Sequence, residues 1–175
     1  TNWDNDPTGV AADVLGNRLI FEGGGSNITA TADAGPYTNV GGFTFASAAG
    51  EFTLDGNQVT FTDSASILVD STNSQTIQNN LVAGNTALGI NTAGGDLTIS
   101  GDINAGAANL NVTGAAGTTT TLDGVLTGAG GVLQKTGDSV LNITADSSGT
   151  FTSTIEVDAG TVNLSGQTGG NVQVD

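Results

Sequence analysis

Leu97-Thr98-Ile99-Ser100-Gly101-Asp102-Ile103-Asn104-Ala105-Gly106-Ala107-Ala108-Asn109-Leu110-Asn111-Val112-Thr113-Gly114 carries the rhythm of the whole chain. Apolar and polar residues alternate over a few positions, and then Gly, Asn or Asp interrupts. A period of two places the apolar side chains on one face of a strand and Thr or Asn on the other. The same unit recurs in both directions. Upstream it reads Leu19-Ile20-Phe21, Phe43-Thr44-Phe45, Phe52-Thr53-Leu54, Val59-Thr60-Phe61 and Ile67-Leu68-Val69; downstream, Leu141-Asn142-Ile143 and Val162-Asn163-Leu164. A chain that repeats one short strand-and-turn unit throughout is stacking that unit, and this predicts a β-solenoid. One coil of such a stack consumes about 20 residues, so about 150 residues predict about seven coils, with Val, Ile, Leu and Phe in inward columns and Asn and Thr at equivalent corners in hydrogen-bonded ladders.

Composition sets the bounds. The 175 residues fit one domain. There is no Cys, Met or His, and the apolar supply is mostly Ala, Val, Ile and Leu with six Phe. Such side chains fill a narrow interior. Twenty-eight glycines serve a backbone that must turn often. The alternating strands give the chain apolar faces to bury, which argues against disorder.

The formal net charge is −15, with Arg18 and Lys135 the two fixed cations. Two scattered cations make no phosphate-binding face, so nucleic acid is excluded as a partner, and an anionic lipid surface is disfavoured for the same reason. No apolar run of about 18 residues exists, so no membrane insertion by a helix is expected. The acidic, Thr/Asn/Ser/Gly-rich composition predicts an extracellular or cell-surface location, with a leader already removed before Thr1. Four Asn-x-Ser/Thr matches, at Asn27, Asn111, Asn142 and Asn163, are ordinary coincidences in a chain of this composition.

Residues 1–18 differ from the rest, with Trp3 in a run of Asn and Asp before Pro7. They read as an N-terminal cap or docking segment, or as a loose terminus; Val10 to Leu15 has room for one helical turn. Residues 19–175 then form the solenoid domain. Asp55-Gly56-Asn57 suits either a tight hairpin or a corner between solenoid faces. Asn73 to Asn85 is the most polar stretch and predicts short or edge-like strands.

Leu133-Gln134-Lys135-Thr136-Gly137-Asp138-Ser139-Val140-Leu141-Asn142-Ile143 resembles the opening of the autotransporter-associated β-strand repeat, Leu-x-Lys-x-Gly-x-Gly-x-Leu-x-Leu, with Ser139 in place of the second Gly. Thr154-Ile155-Glu156-Val157-Asp158-Ala159-Gly160-Thr161-Val162 is similar to its Thr-x-Val-x-Ala-Gly-Thr-Leu ending, and Phe151-Thr152-Ser153 stands where that family has Tyr-Thr-Gly. Asn17 to Phe21, Gly41 to Phe45 and Phe52 to Asn57 resemble segments that precede the repeat in large bacterial surface proteins. The resemblance implies a right-handed parallel β-helix, exported and displayed outside the cell as a secretion-assisting stalk or adhesin scaffold.

Candidate chemistry is sparse. Without His or Cys there is no Ser-His or Cys-His nucleophile system and no thiolate. Gly23-Gly24-Gly25 lacks the Lys-Ser/Thr of a phosphate loop. A carbohydrate-active β-helix needs paired carboxyls; Asp63 with Asp70 and Asp96 with Asp102 are available, yet they sit where turn acids belong. No enzyme is expected and no cofactor. Calcium is the most credible ligand, through Asp4, Asn5 and Asp6 or Asp55 with Asn57, though neither set fits an EF-hand or calcium-roll spacing. Lys135 is expected to be structural, pairing with Asp138 or Asp158.

Asn171-Val172-Gln173-Val174-Asp175 is a strand pattern with no polar terminator after it. An open last coil exposes unpaired backbone and apolar side chains. Such an end suggests a neighbour: either this is a slice of a longer passenger, or, as the expected function, it is a non-enzymatic structural subunit that stacks on copies of itself, head to tail, into a surface filament or stalk. Trp3, Val172 and Val174 are the expected docking residues. The alternative is a passenger fragment acting as an adhesin on surface glycans through side loops, with Tyr37 and Trp3 as the aromatic candidates.

Overall fold

The computed structural model describes residues 18–32 and 36–175. Every regular element among them is a strand. β1 (Arg18–Phe21), β2 (Ile28–Ala32) and β3 (Tyr37–Phe45) make the first circuit, and β4 (Phe52–Gly56) and β5 (Val59–Val69) the second. β6 (Gln75–Ile77), β7 (Leu81–Val82) and β8 (Ala87–Thr92) follow, then β9 (Leu97–Ile99), β10 (Ile103–Gly106) and β11 (Asn109–Gly114). β12 (Thr119–Leu122), β13 (Leu126–Gly128) and β14 (Val132–Lys135) precede β15 (Val140–Ile143), β16 (Thr154–Val157), β17 (Thr161–Leu164) and β18 (Val172–Val174).

Every strand pairing is parallel, between one circuit and the next, so the chain is a parallel β-helix. Three walls result. The first stacks β1, the ends of β3 and β5, β8, β11, β14, β16 and β18. The second stacks β2, β4, β6, β9, β12, β15 and β17. The third stacks the beginnings of β3 and β5 with β7, β10 and β13. In β3 and β5 the third wall runs on into the first, and register shifts between Tyr37 and Gly42 mark the bend.

The register counts the turns. Arg18, Gly42, Ser66, Gly89, Asn111, Gln134 and Glu156 lie one above another, six full turns of 22 to 24 residues, before a shorter step to Gln173. Rungs about 4.8 Å apart make this a rod roughly 30 Å long.

Alternation decides what lies inside. Ala30, Leu54, Ile77, Ile99, Leu122, Ile143 and Leu164 form one inward column of the second wall. Ala65, Leu88, Leu110, Leu133, Ile155 and Val172 form one of the first. On the outer surface of the second wall, Thr29, Thr53, Thr76, Thr98, Thr121, Asn142 and Asn163 share a register. There Asn163 Nδ2 donates to Asn142 Oδ1 at 2.9 Å, so coil-to-coil bonding runs up a strand face as well as the corners, where Asn57 and Asn79 donate to carbonyls of the preceding coil.

Two turn readings resolve. Asp55-Gly56-Asn57 is a corner between parallel walls, and Gly56 takes a φ of 96° there. β6 and β7 are short, as the polar stretch predicts, but each has strands on both sides and neither is an edge. At other corners the coils approach so closely that a side chain has no room: a Cβ on Gly124 would collide with the carbonyl oxygen of Gly101.

Candidate functional site

β17 and β18 form the last rung of the described residues. Leu164, Val172 and Val174 end three inward columns, and they are 40%, 47% and 74% exposed. One rung earlier in two of those columns, Ile143 and Ile155 are fully buried. The sequence-expected docking residues Val172 and Val174 therefore sit together on β18, in the last described rung. Leu164 joins them from the adjoining wall; its place at the end of the strand pattern was the available signal. Trp3 lies outside the described residues, as do Asp4, Asn5, Asp6 and the Val10 to Leu15 segment.

The corner between the first and second walls is polar inside. Gln75 is buried, accepts from the Phe52 amide at 3.0 Å and donates to the Gly50 and Asn73 carbonyls, each at 2.9 Å. Two turns on, Thr118 donates to the Thr92 carbonyl at 2.9 Å, and its hydroxyl lies 3.0 Å from that of Thr92. Burial of these groups is tolerated because each has partners.

Lys135 occupies the same corner and corrects the expected ion pair. Its side chain follows Val112 in an inward column and is fully buried. Nζ donates to the carbonyls of Thr136 and Gly137, both at 2.7 Å, and to that of Ala159 on the next coil at 3.3 Å. Burial lowers its pKa from the ordinary lysine value, while the nearby Asp138 charge opposes the shift. The Asp158 carboxylate instead accepts from Gln134 Nε2 at 2.7 Å. Lys135 can reach these carbonyls because an inward-pointing strand position beside a turn aims its long stem at the turn's own backbone. Sequence spacing to Asp138 and Asp158 does not reveal that direction.

Of the acids considered for paired catalysis, Asp96 and Asp102 serve the backbone. Asp96 Oδ1 accepts from the Thr119 amide at 2.8 Å, and Asp102 Oδ1 accepts from the Val125 amide at 2.9 Å. The two stand at opposite ends of β9, each engaging the next coil. Asp55 and Asn57 flank a corner where Asn57 Nδ2 donates to the Ala32 carbonyl at 2.9 Å. Asp55 Oδ1 and the buried Asn79 Oδ1 are without hydrogen-bond partners at that corner, whereas Asn79 Nδ2 donates to the Asp55 and Asn57 carbonyls. Tyr37, an aromatic candidate for glycan contact, starts β3 and packs against the core.

Compared with family models, with curated proteins and with solved structures, the chain matches none.

Proposed function

We propose that this chain is a non-enzymatic structural rod that works outside the cell, extending by rung addition at its C-terminal face into a surface filament or stalk. One observation carries this reading: the apolar columns end in the exposed Leu164, Val172 and Val174, and β17 and β18 each pair on one side only. An unpaired parallel rung over an apolar interior is a template for another rung. The occupant is the first rung of a second copy, β1. Such a head-to-tail contact does not close on itself and generates a filament. The resemblance of residues 133–164 to the passenger repeat supports the extracellular setting, as does the charge of −15.

Electron microscopy and sedimentation across a concentration series test it, with and without calcium. End-to-end rods are expected, and Val172→Asp with Val174→Asp abolishes them while preserving the β-sheet circular dichroism. A monomer at every concentration in both conditions overturns it.

A further inference from the structure

A groove of about 470 Å³ runs across the outside of the first wall, over β8. Its centre is Gly89. In the outward column Arg18, Gly42, Ser66, Gly89, Asn111, the absent side chain leaves a notch between Ser66 and Asn111. Leu68 and Asn91, neighbours in the adjoining outward column, form its side. Ser66 and Asn111, at its two ends, stand two rungs apart, about 10 Å between backbones.

Nothing in the backbone or the packing asks for glycine here. Gly42, Gly56 and Gly106, also within strands, take positive φ values of 140°, 96° and 57°. A Cβ on Gly114 or Gly128 would press on a neighbouring coil. Gly89 does neither: an added Cβ would lie 3.5 Å from the Ser66 Cβ and 3.8 Å from the Ala65 carbonyl oxygen, ordinary contact distances. Glycine inside a strand loses backbone entropy and packs nothing, and it marks places where something approaches closely.

The groove also holds the cation that the fold leaves at its surface. Arg18 reaches over Gly42, with Nε donating to Thr44 Oγ1 at 2.7 Å and Nη2 to the Ser66 hydroxyl and carbonyl at 2.6 and 3.2 Å. These bonds fix the guanidinium plane at the groove. Its Nη1 has no hydrogen-bond partner among the described residues, and no carboxylate there pairs with it.

We infer that this groove binds a single carboxylate-bearing sugar, a uronic or nonulosonic acid residue. A fixed guanidinium recognises a carboxylate. The Asn91 and Asn111 amides offer donors and acceptors to ring hydroxyls, and Leu68 with the bare Gly89 backbone receives the apolar face of the ring. The charge of −15 repels a polyuronate, which selects an isolated acidic sugar over an acidic polymer. The groove is on a strand face over β8, four rungs from β18, while its Arg18 stands on β1, the first rung of the rod reading.

Saturation-transfer NMR, which works on monomer or filament alike, tests it with D-glucuronate and N-acetylneuraminate against D-glucose and N-acetylglucosamine. Saturable transfer to the acidic sugars is expected, with the neutral ones at least about tenfold weaker, the worth of one charge-assisted hydrogen bond. Arg18→Gln removes that preference. Gly89→Val fills the notch and abolishes binding with an unchanged or higher melting temperature, because valine suits a strand. No saturable transfer, full binding by Gly89→Val, or acetate binding as tightly as the sugars overturns the inference.

Discussion

The first turns and the later turns solve the same problem with different interiors. In the first, Phe21 stacks on Phe45 with centroids 5.1 Å apart, Phe43 meets Phe61 edge-on at 5.2 Å, and Phe52 leans on Phe21 at 5.6 Å. In the later turns the corner positions pass to Thr92, Thr118, Thr120, Ser139 and Lys135. The perimeter changes with the filling: the first two steps take 24 residues each, from Arg18 to Gly42 to Ser66, and the following full turns take 22 or 23. Phenyl rings need a wider cross-section, so the difference teaches that core volume sets coil length. One end is held by dispersion and ring packing; the other relies on buried hydrogen bonds, made by Thr92, Thr118 and Lys135 but not by the Ser139 hydroxyl, which has no partner there.

The sharpest way to break this contrast is to empty the aromatic end. Phe45→Ala should cost about 3–5 kcal/mol, and hydrogen exchange should show the loss concentrated in the first turns, since each coil touches mainly its neighbours. Equal loss of protection along the rod would show a single cooperative unit instead. Next in size is a backbone test at a tight corner. Gly124→Ala forces a Cβ against the Gly101 carbonyl and should cost about 1–3 kcal/mol, read as a lower denaturant midpoint. An unchanged midpoint would mean that the coils can separate at that corner.

The smallest effect probes the polar end. Lys135→Met strips the donor from three carbonyls and should lower stability by about 1–2 kcal/mol at neutral pH. The pH dependence carries a sign. Lys135 has its pKa lowered in the fold, so between that lowered value and the ordinary 10.5 the unfolded chain binds more protons than the folded one. Stability contributed by this group therefore rises with pH through that window and is flat below it. Urea midpoints of the wild type and Lys135→Met across that range should diverge in favour of the wild type; parallel curves would remove the burial argument.

Much of the architecture was legible because alternation is local. Leu97-Thr98-Ile99 announces which side chain turns inward whatever the neighbour, and its repetition announces stacking. The final strand was legible too, since Val172 and Val174 continue the alternation. Less legible was anything that depends on two coils meeting. Asp96 and Asp102 looked like acids in turns, yet their partners, the amides of Thr119 and Val125, are 23 residues away. Tyr37 looked like a surface aromatic, and its packing against the core depends on residues of other coils.

The sequence alone determined the period-two strands, their inward aliphatic columns, the acidic surface and the lack of any His or Cys chemistry, because each follows from residue type and near-neighbour spacing. Only the tertiary structure decided which coil lies on which. That register aimed Lys135 at the carbonyls of its own corner and of the next coil, let Arg18 lie across a glycine, and left Gly89 as a notch rather than a packing necessity. Spacings of 21 to 24 residues between touching groups carry no local signal, and a shift of one residue would have sent every one of those side chains to the opposite face.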